Sequence, residues 1–187
     1  SNLQPRLIPE KGDSLLTGSK YFSYPFNLVS EKSSAMVYVL NKWIDSAGNS
    51  TVVAIDGAKE DIKWIAKVGR NSHQIALDEK RQKLYVNNMD DKTLSVLDTE
   101  DGKNSKTIIT TGKPIDMAID SESNSLYVID VDNNLKKINT GNYLVEANIK
   151  LSVDLIPNYI IFNNESKRLY VVNGGRHISI LNENLTL

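Results

Sequence analysis

The chain of 187 residues is long enough for one domain with a hydrophobic core. Its 22 Lys and Arg stand against 23 Asp and Glu, a net charge of −1 that leaves neither a basic field for nucleic acid nor an acidic tail. There is no Cys, so disulfides, thiolate catalysis and thiolate metal sites are excluded together. No apolar run approaches the roughly 18 residues of a helical membrane span, so no membrane insertion is expected.

The opening, SNLQPRLIPEKGD, has neither an initiator Met nor a hydrophobic signal core and reads as a processed or engineered start. Residues 9–25, PEKGDSLLTGSKYFSYP, align with residues 98–114 and predict an outer strand D followed by Pro25. Four repeat units follow, at about 26–72, 73–114, 115–157 and 158–187. Each carries one Tyr at the same place: Tyr38, Tyr85, Tyr127 and Tyr170, spaced 47, 42 and 43 residues apart. The tetrapeptides that begin there are YVLN, YVNN, YVID and YVVN. Seven residues before each Tyr stands Glu31, Asp78, Asp120 or Asn163, and thirteen before stands Pro25, Ser72, Pro114 or Pro157. The longer first spacing comes from about five extra residues in NKWIDSAGNST, between the second and third runs.

In the third unit the apolar runs are A (DMAID), B (SLYVID), C (NLKKIN) and D (YLVEANIKL), separated by Asn, Asp, Gly or Ser turns. No segment holds a capped helical period. Runs A and B are apolar on both alternating faces, as expected for a sheet sandwiched between two others, while C and D carry more Lys, Glu and Thr. Four strands per repeat of about 40–45 residues predict an all-β fold, a β-propeller of four-stranded antiparallel blades.

The pattern Pro-x-x-h-x-h-Asp, then LYV-x-Asn, then S-V-h-D, then T-I-x-T-G-x-P resembles the YVTN-repeat β-propellers, most closely over residues 93–130. The resemblance covers roughly residues 9–187 and implies one propeller domain on the extracytoplasmic side of a prokaryotic cell, in the periplasm or at the cell surface. Function does not follow from such a fold. The chain holds a strand D at its start and ends just after a strand C. It is therefore expected to form a closed four-bladed ring, to be part of a larger propeller, or to pair as a homodimer through open blade edges.

Asn41, Asn88, Asp130 and Asn173 follow strand B in every unit. A side chain serving one ligand would not be needed four times, whereas a clip bonding backbone N–H groups of the B–C turn would be needed once per blade. Catalytic motifs are absent. DVDNN at 130–134 resembles the start of a calcium loop but has Leu135 and Gly141 where such a loop needs Gly and an acid, so neither metal nor cofactor is expected. His73 and His177 are the only histidines and form no paired motif.

Surface loops remain. In a propeller the D–A and B–C loops share one face around the channel mouth, and here they carry Trp43, His73, Asp116, Tyr159, Arg176 and His177. Trp, Tyr and Arg are the side chains most enriched in binding hot spots. The sequence is thus read as a non-catalytic module that engages a protein, peptide or glycan ligand through this face. The alternative is a propeller enzyme, a lyase or redox subunit, using His73, Asp116 or His177 at the channel mouth.

Overall fold

A computed structural model describes residues 24–42, 44–151, 156–174 and 177–186. Trp43, Arg176 and the N-terminal segment up to residue 23, which includes most of the expected outer strand, lie outside the described residues. The described chain is all β, in four antiparallel meanders. The first sheet holds β1 (Pro25–Ser30), β2 (Met36–Asn41), β3 (Asn49–Asp56) and β4 (Asp61–Arg70). The second holds β5 (Ser72–Asp78), β6 (Lys83–Asn88), β7 (Thr93–Asp98) and β8 (Asn104–Ile109). The third holds β9 (Pro114–Asp120), β10 (Ser125–Asp130), β11 (Asn134–Asn139) and β12 (Val145–Lys150). The fourth has three described strands, β13 (Pro157–Asn163), β14 (Arg168–Asn173) and β15 (His177–Asn182).

Repeated short polar side chains make the turns. Asp120 Oδ1 accepts from the N–H groups of Glu122 and Ser123, and Asn163 Oδ1 accepts from Glu165 and Ser166. Asn139 and Asn182 do the same after β11 and β15. Each turns the chain by mimicking a backbone acceptor two residues on. The residue just before strand B adopts a left-handed backbone in three units, at Gln82, Asn124 and Lys167, which returns the hairpin in register.

Consecutive sheets stack face to face, and the period-two alternation of each strand assigns its side chains to the preceding or the following sheet. Tyr38, Leu40, Val52 and Ala54 of the first sheet meet Ile75, Leu84, Val86 and Leu97 of the second. Tyr85, Leu94 and Val96 meet Met117, Leu126 and Val128 of the third. Tyr127, Ile129 and Leu135 meet Ile160, Leu169, Val171 and Leu181 of the fourth. The blades of a β-propeller are therefore present, and the repeated Tyr is the residue each one turns toward its successor. Tyr38, Tyr85 and Tyr127 are fully buried, whereas Tyr170 is only half-buried, because no described sheet follows the fourth.

The first and fourth sheets share no apolar cluster among the described residues. Val39, Val53 and Ile55 on the outward face of the first sheet form a set of their own with Val37 and Ile62.

Candidate functional site

The innermost strands, β1, β5, β9 and β13, lie side by side in order. Asn27, Gln74, Asp116 and Tyr159 occupy one register position on them, opposite Leu40, the neighbourhood of Asn87, Ile129 and Val172. Three of these side chains link the sheets. Asn27 Nδ2 donates to Gln74 Oε1, Gln74 Nε2 donates to Asp116 Oδ1 at 2.5 Å, and Asp116 Oδ2 accepts from the Ile160 N–H at 2.8 Å. Burial pushes the Asp116 carboxyl above the usual carboxylate range, and these hydrogen bonds offset only part of that rise.

A bulge in β5 frees the N–H groups of His73 and Gln74, and both are taken by Asn87 Oδ1, at 2.8 and 2.6 Å. The Asn87 amide donates onward to the Pro114 and Ile115 carbonyls of the next sheet. The bulge turns His73 toward the first sheet. There the Phe26 ring meets the imidazole edge-on, with centroids 5.3 Å apart. The Lys42 ammonium stands 3.9 Å from the Phe26 centroid and about as close to the imidazole nitrogens, 3.0 Å from Nε2. Asn71 Oδ1 contacts the same Nε2. Burial lowers the Lys42 pKa, and burial together with the Lys42 charge lowers that of His73. Carboxylates rim this group: Arg70 pairs with Asp91 at 2.6 Å, and Lys113 with Asp90 at 3.0 Å, which holds the Asp90 carboxyl below its ordinary value.

The residues after strand B differ from one another. Asp130 Oδ1 accepts from the N–H groups of Asp132 and Asn134, at 2.9 and 3.0 Å, and its carboxylate pairs with the buried Lys136. Asn88 Oδ1 reaches the Gly69 N–H and Ser72 Oγ, while its amide donates to Thr93 and Ser95. Asn173 donates to Ser179 Oγ. Both polar atoms of the Asn41 side chain are buried without a hydrogen-bond partner among the described residues.

Of the residues singled out in the sequence, His73 and Asp116 stand at the same end of the adjacent inner strands β5 and β9, joined through Gln74. Tyr159 is 67 % exposed on β13, and His177 is an exposed residue that opens β15, both on the fourth sheet. Trp43 and Arg176 lie outside the described residues. Sequence reasoning passed over Lys42. Its signal was positional: the other units place Met89, Val131 and Gly174 directly after the last residue of strand B, and only the first places a cation there. A separate cleft of about 770 Å³ opens at the opposite end of the inner strands, lined by Leu28, Ser30, Leu77, Glu79, Ile119 and Ser121 among others. No group of three or more His, Asp and Glu residues is arranged to hold a metal ion among the described residues.

No family model matches the sequence, and no curated protein matches it. Solved structures do match in fold. A chain of Kuenenia stuttgartiensis hydrazine synthase superposes with a TM-score of 0.73 at 17% identity, covering 91% of this chain and 49% of its own. A 6-phosphogluconolactonase-like protein from Bacteroides uniformis superposes with a TM-score of 0.65 at 13% identity, covering 83% of this chain and 52% of its own. The chain thus spans about half the length of the solved structures it matches, and at these identities the likeness is one of β-propeller fold alone.

Proposed function

We propose that the chain is a propeller of YVTN-repeat type that binds a protein, peptide or glycan through its D–A/B–C loop face, without chemistry of its own. The observation that carries this is the Phe26 ring, 47 % exposed on β1 against the Lys42 amine and the His73 imidazole, with the Arg70–Asp91 and Lys113–Asp90 pairs on the same loop face. An aromatic anchor inside a polar rim is the composition of a binding hot spot. Asp116 is engaged with both neighbouring sheets, which fits a tie between blades better than a proton carrier for a substrate. An extracytoplasmic location goes with the YVTN reading and rests on it.

The test is a peptide and glycan array probed with the purified chain, repeated with Phe26→Ala, Asp90→Ala, Trp43→Ala and Arg176→Ala. Binding by the wild type, and at least a tenfold loss in Phe26→Ala, or roughly 1.4 kcal/mol, with an unchanged melting curve supports the reading. Equal binding by all four variants overturns it.

One observation favours a second reading, an enzyme. Lys42 and His73 are both shifted toward their neutral forms, as a proton acceptor at a channel mouth would be. A turnover whose pH profile moves in Lys42→Arg would support that reading over binding alone.

A further inference from the structure

Each of the four inner strands carries the same irregularity at its loop-face end. Pro25 pairs with Asn41 and Asn27 with Leu40, which leaves Phe26 as an extra residue. Pro114 and Asp116 pair with Asp130 and Ile129 and leave Ile115, while Pro157 and Tyr159 pair with Asn173 and Val172 and leave Asn158. In β5 the pairs Ser72–Asn88 and Ile75–Val86 leave His73 and Gln74 opposite Asn87 alone. A β-bulge re-aims a side chain, and bulges gather beside binding and catalytic sites. Because β1, β5, β9 and β13 lie side by side, the four bulges stand in a row, one per unit.

The residues around the row are committed to holding it. Asn27, Gln74 and Asp116, each next after a bulge residue, are joined to one another and to the Ile160 N–H. Asn87 closes the second bulge and donates to the carbonyls of Pro114 and Ile115 at the third. The bulge residues themselves reach solvent: Phe26 and Asn158 are exposed, His73 and Ile115 half-buried. A constant frame thus presents an aromatic ring, an imidazole, an aliphatic chain and an amide in turn. Variable side chains on a rigid scaffold are where such folds place recognition.

The chemistry of the row favours one class of ligand. Asp90 is paired with Lys113, Asp91 with Arg70, and both oxygens of Asp116 are engaged, so the carboxylates beside the row are spent within the protein rather than turned to sugar hydroxyls. Two of the four bulge side chains are apolar. A peptide offers the match: apolar side chains for Phe26 and Ile115, and main-chain N–H and C=O groups for His73 and Asn158.

We propose that the four bulges form one recognition row for an extended peptide that crosses the inner strands and sets apolar side chains against Phe26 and Ile115. This deepens the binding reading and rests on it.

The experiment is selection of a displayed library of random linear peptides on the purified chain, with a glycan array in parallel. The proposal expects the wild type to enrich peptides that share apolar residues. Phe26→Ala and Ile115→Ala should each weaken the enriched peptides at least tenfold, and Ile115→Asn should enrich a different set, which a merely structural role would not do. Ile65→Ala, at an exposed apolar residue of the outer strand β4, should bind as wild type does. Melting curves report folding, and where Ile115→Ala melts early, Ile115→Thr, closer in volume, repeats the test. Peptides held equally by wild type and all bulge variants overturn the proposal. Capture of glycans alone, lost in Phe26→Ala, also overturns it while leaving the binding reading in place. Capture of neither class overturns both.

Discussion

Gln74 Nε2 donates to Asp116 Oδ1 at 2.5 Å, across the boundary between the second and third sheets. The same carboxylate accepts from Ile160 of the fourth sheet, so one side chain ties the inner strands of three blades. Asp116→Ala leaves the Ile160 N–H and the Gln74 amide without this acceptor. A loss of about 2–4 kcal/mol in urea denaturation is expected, since each buried donor left unpaired costs about 1–3 kcal/mol. Gln74→Ala, which leaves the Ile160 bond intact, should cost less. Equal stabilities of Asp116→Ala and wild type would show that the tie carries no energy.

The repeated tyrosines should not be equivalent. Tyr127→Ala empties a fully buried site between the third and fourth sheets, and a loss of about 3–5 kcal/mol is expected. Tyr170→Ala removes a half-buried ring and should cost roughly a third of that in the monomer. Thermal and urea melts of the two variants decide this, and comparable losses would mean that Tyr170 is also enclosed in solution.

Asp130 should make the chain acid-sensitive. Burial opposes its ionisation, but the bonds from Lys136 and Asn134 outweigh that, and its pKa lies below the ordinary carboxylate value. A depressed carboxyl pKa contributes stability that is present above the unfolded pKa and lost as pH falls through the folded one. Asp130→Asn should cost about 3–5 kcal/mol near neutral pH, because it leaves Lys136 buried opposite a neutral group. The gap from wild type should then narrow in acid. Asp116, with a raised pKa, works in the opposite sense: its contribution is present below the unfolded pKa and lost as pH rises through the folded one. Urea denaturation from pH 2 to pH 7 separates the two, and a gap for Asp130→Asn that stays constant across that range would count against the assignment.

Two asparagines at one repeat position should respond differently to truncation. Asn88 ties β4 of the preceding sheet to β5 and β7 of its own through four bonds, so Asn88→Ala should lose about 2–3 kcal/mol. Asn41 makes none among the described residues and is buried, so Asn41→Ala should lie within about 1 kcal/mol of wild type or exceed it. Denaturation midpoints at constant slope test the pair.

The sheets were legible because their causes are local. The Asn and Asp residues that end strands A and C close turns within three or four residues, and the apolar alternation around Tyr85 or Tyr127 needs only its own strand to be seen. The loop-face cluster was less legible because its contacts run between units. Gln74 and Asp116 are 42 positions apart, and nothing at either one announces the other. Lys42 stands 31 positions from His73, and the bulge that aims the imidazole depends on Asn87. Gly112, in the T-G-x-P pattern, has no local cause either. A Cβ there would fall 2.3 Å from the Asp130 carboxylate, so the turn before β9 can pass that close only without a side chain.

The stacking order also sets where the molecule opens first. The second and third sheets each have a neighbour on both sides, while the first and fourth have one described neighbour each. In a linear stack of this kind, stability is a sum of unit and nearest-neighbour terms, and fraying starts where a neighbour is missing. Amide hydrogens of β6 and β10 should therefore exchange with solvent only on global unfolding, and those of β15 many times faster.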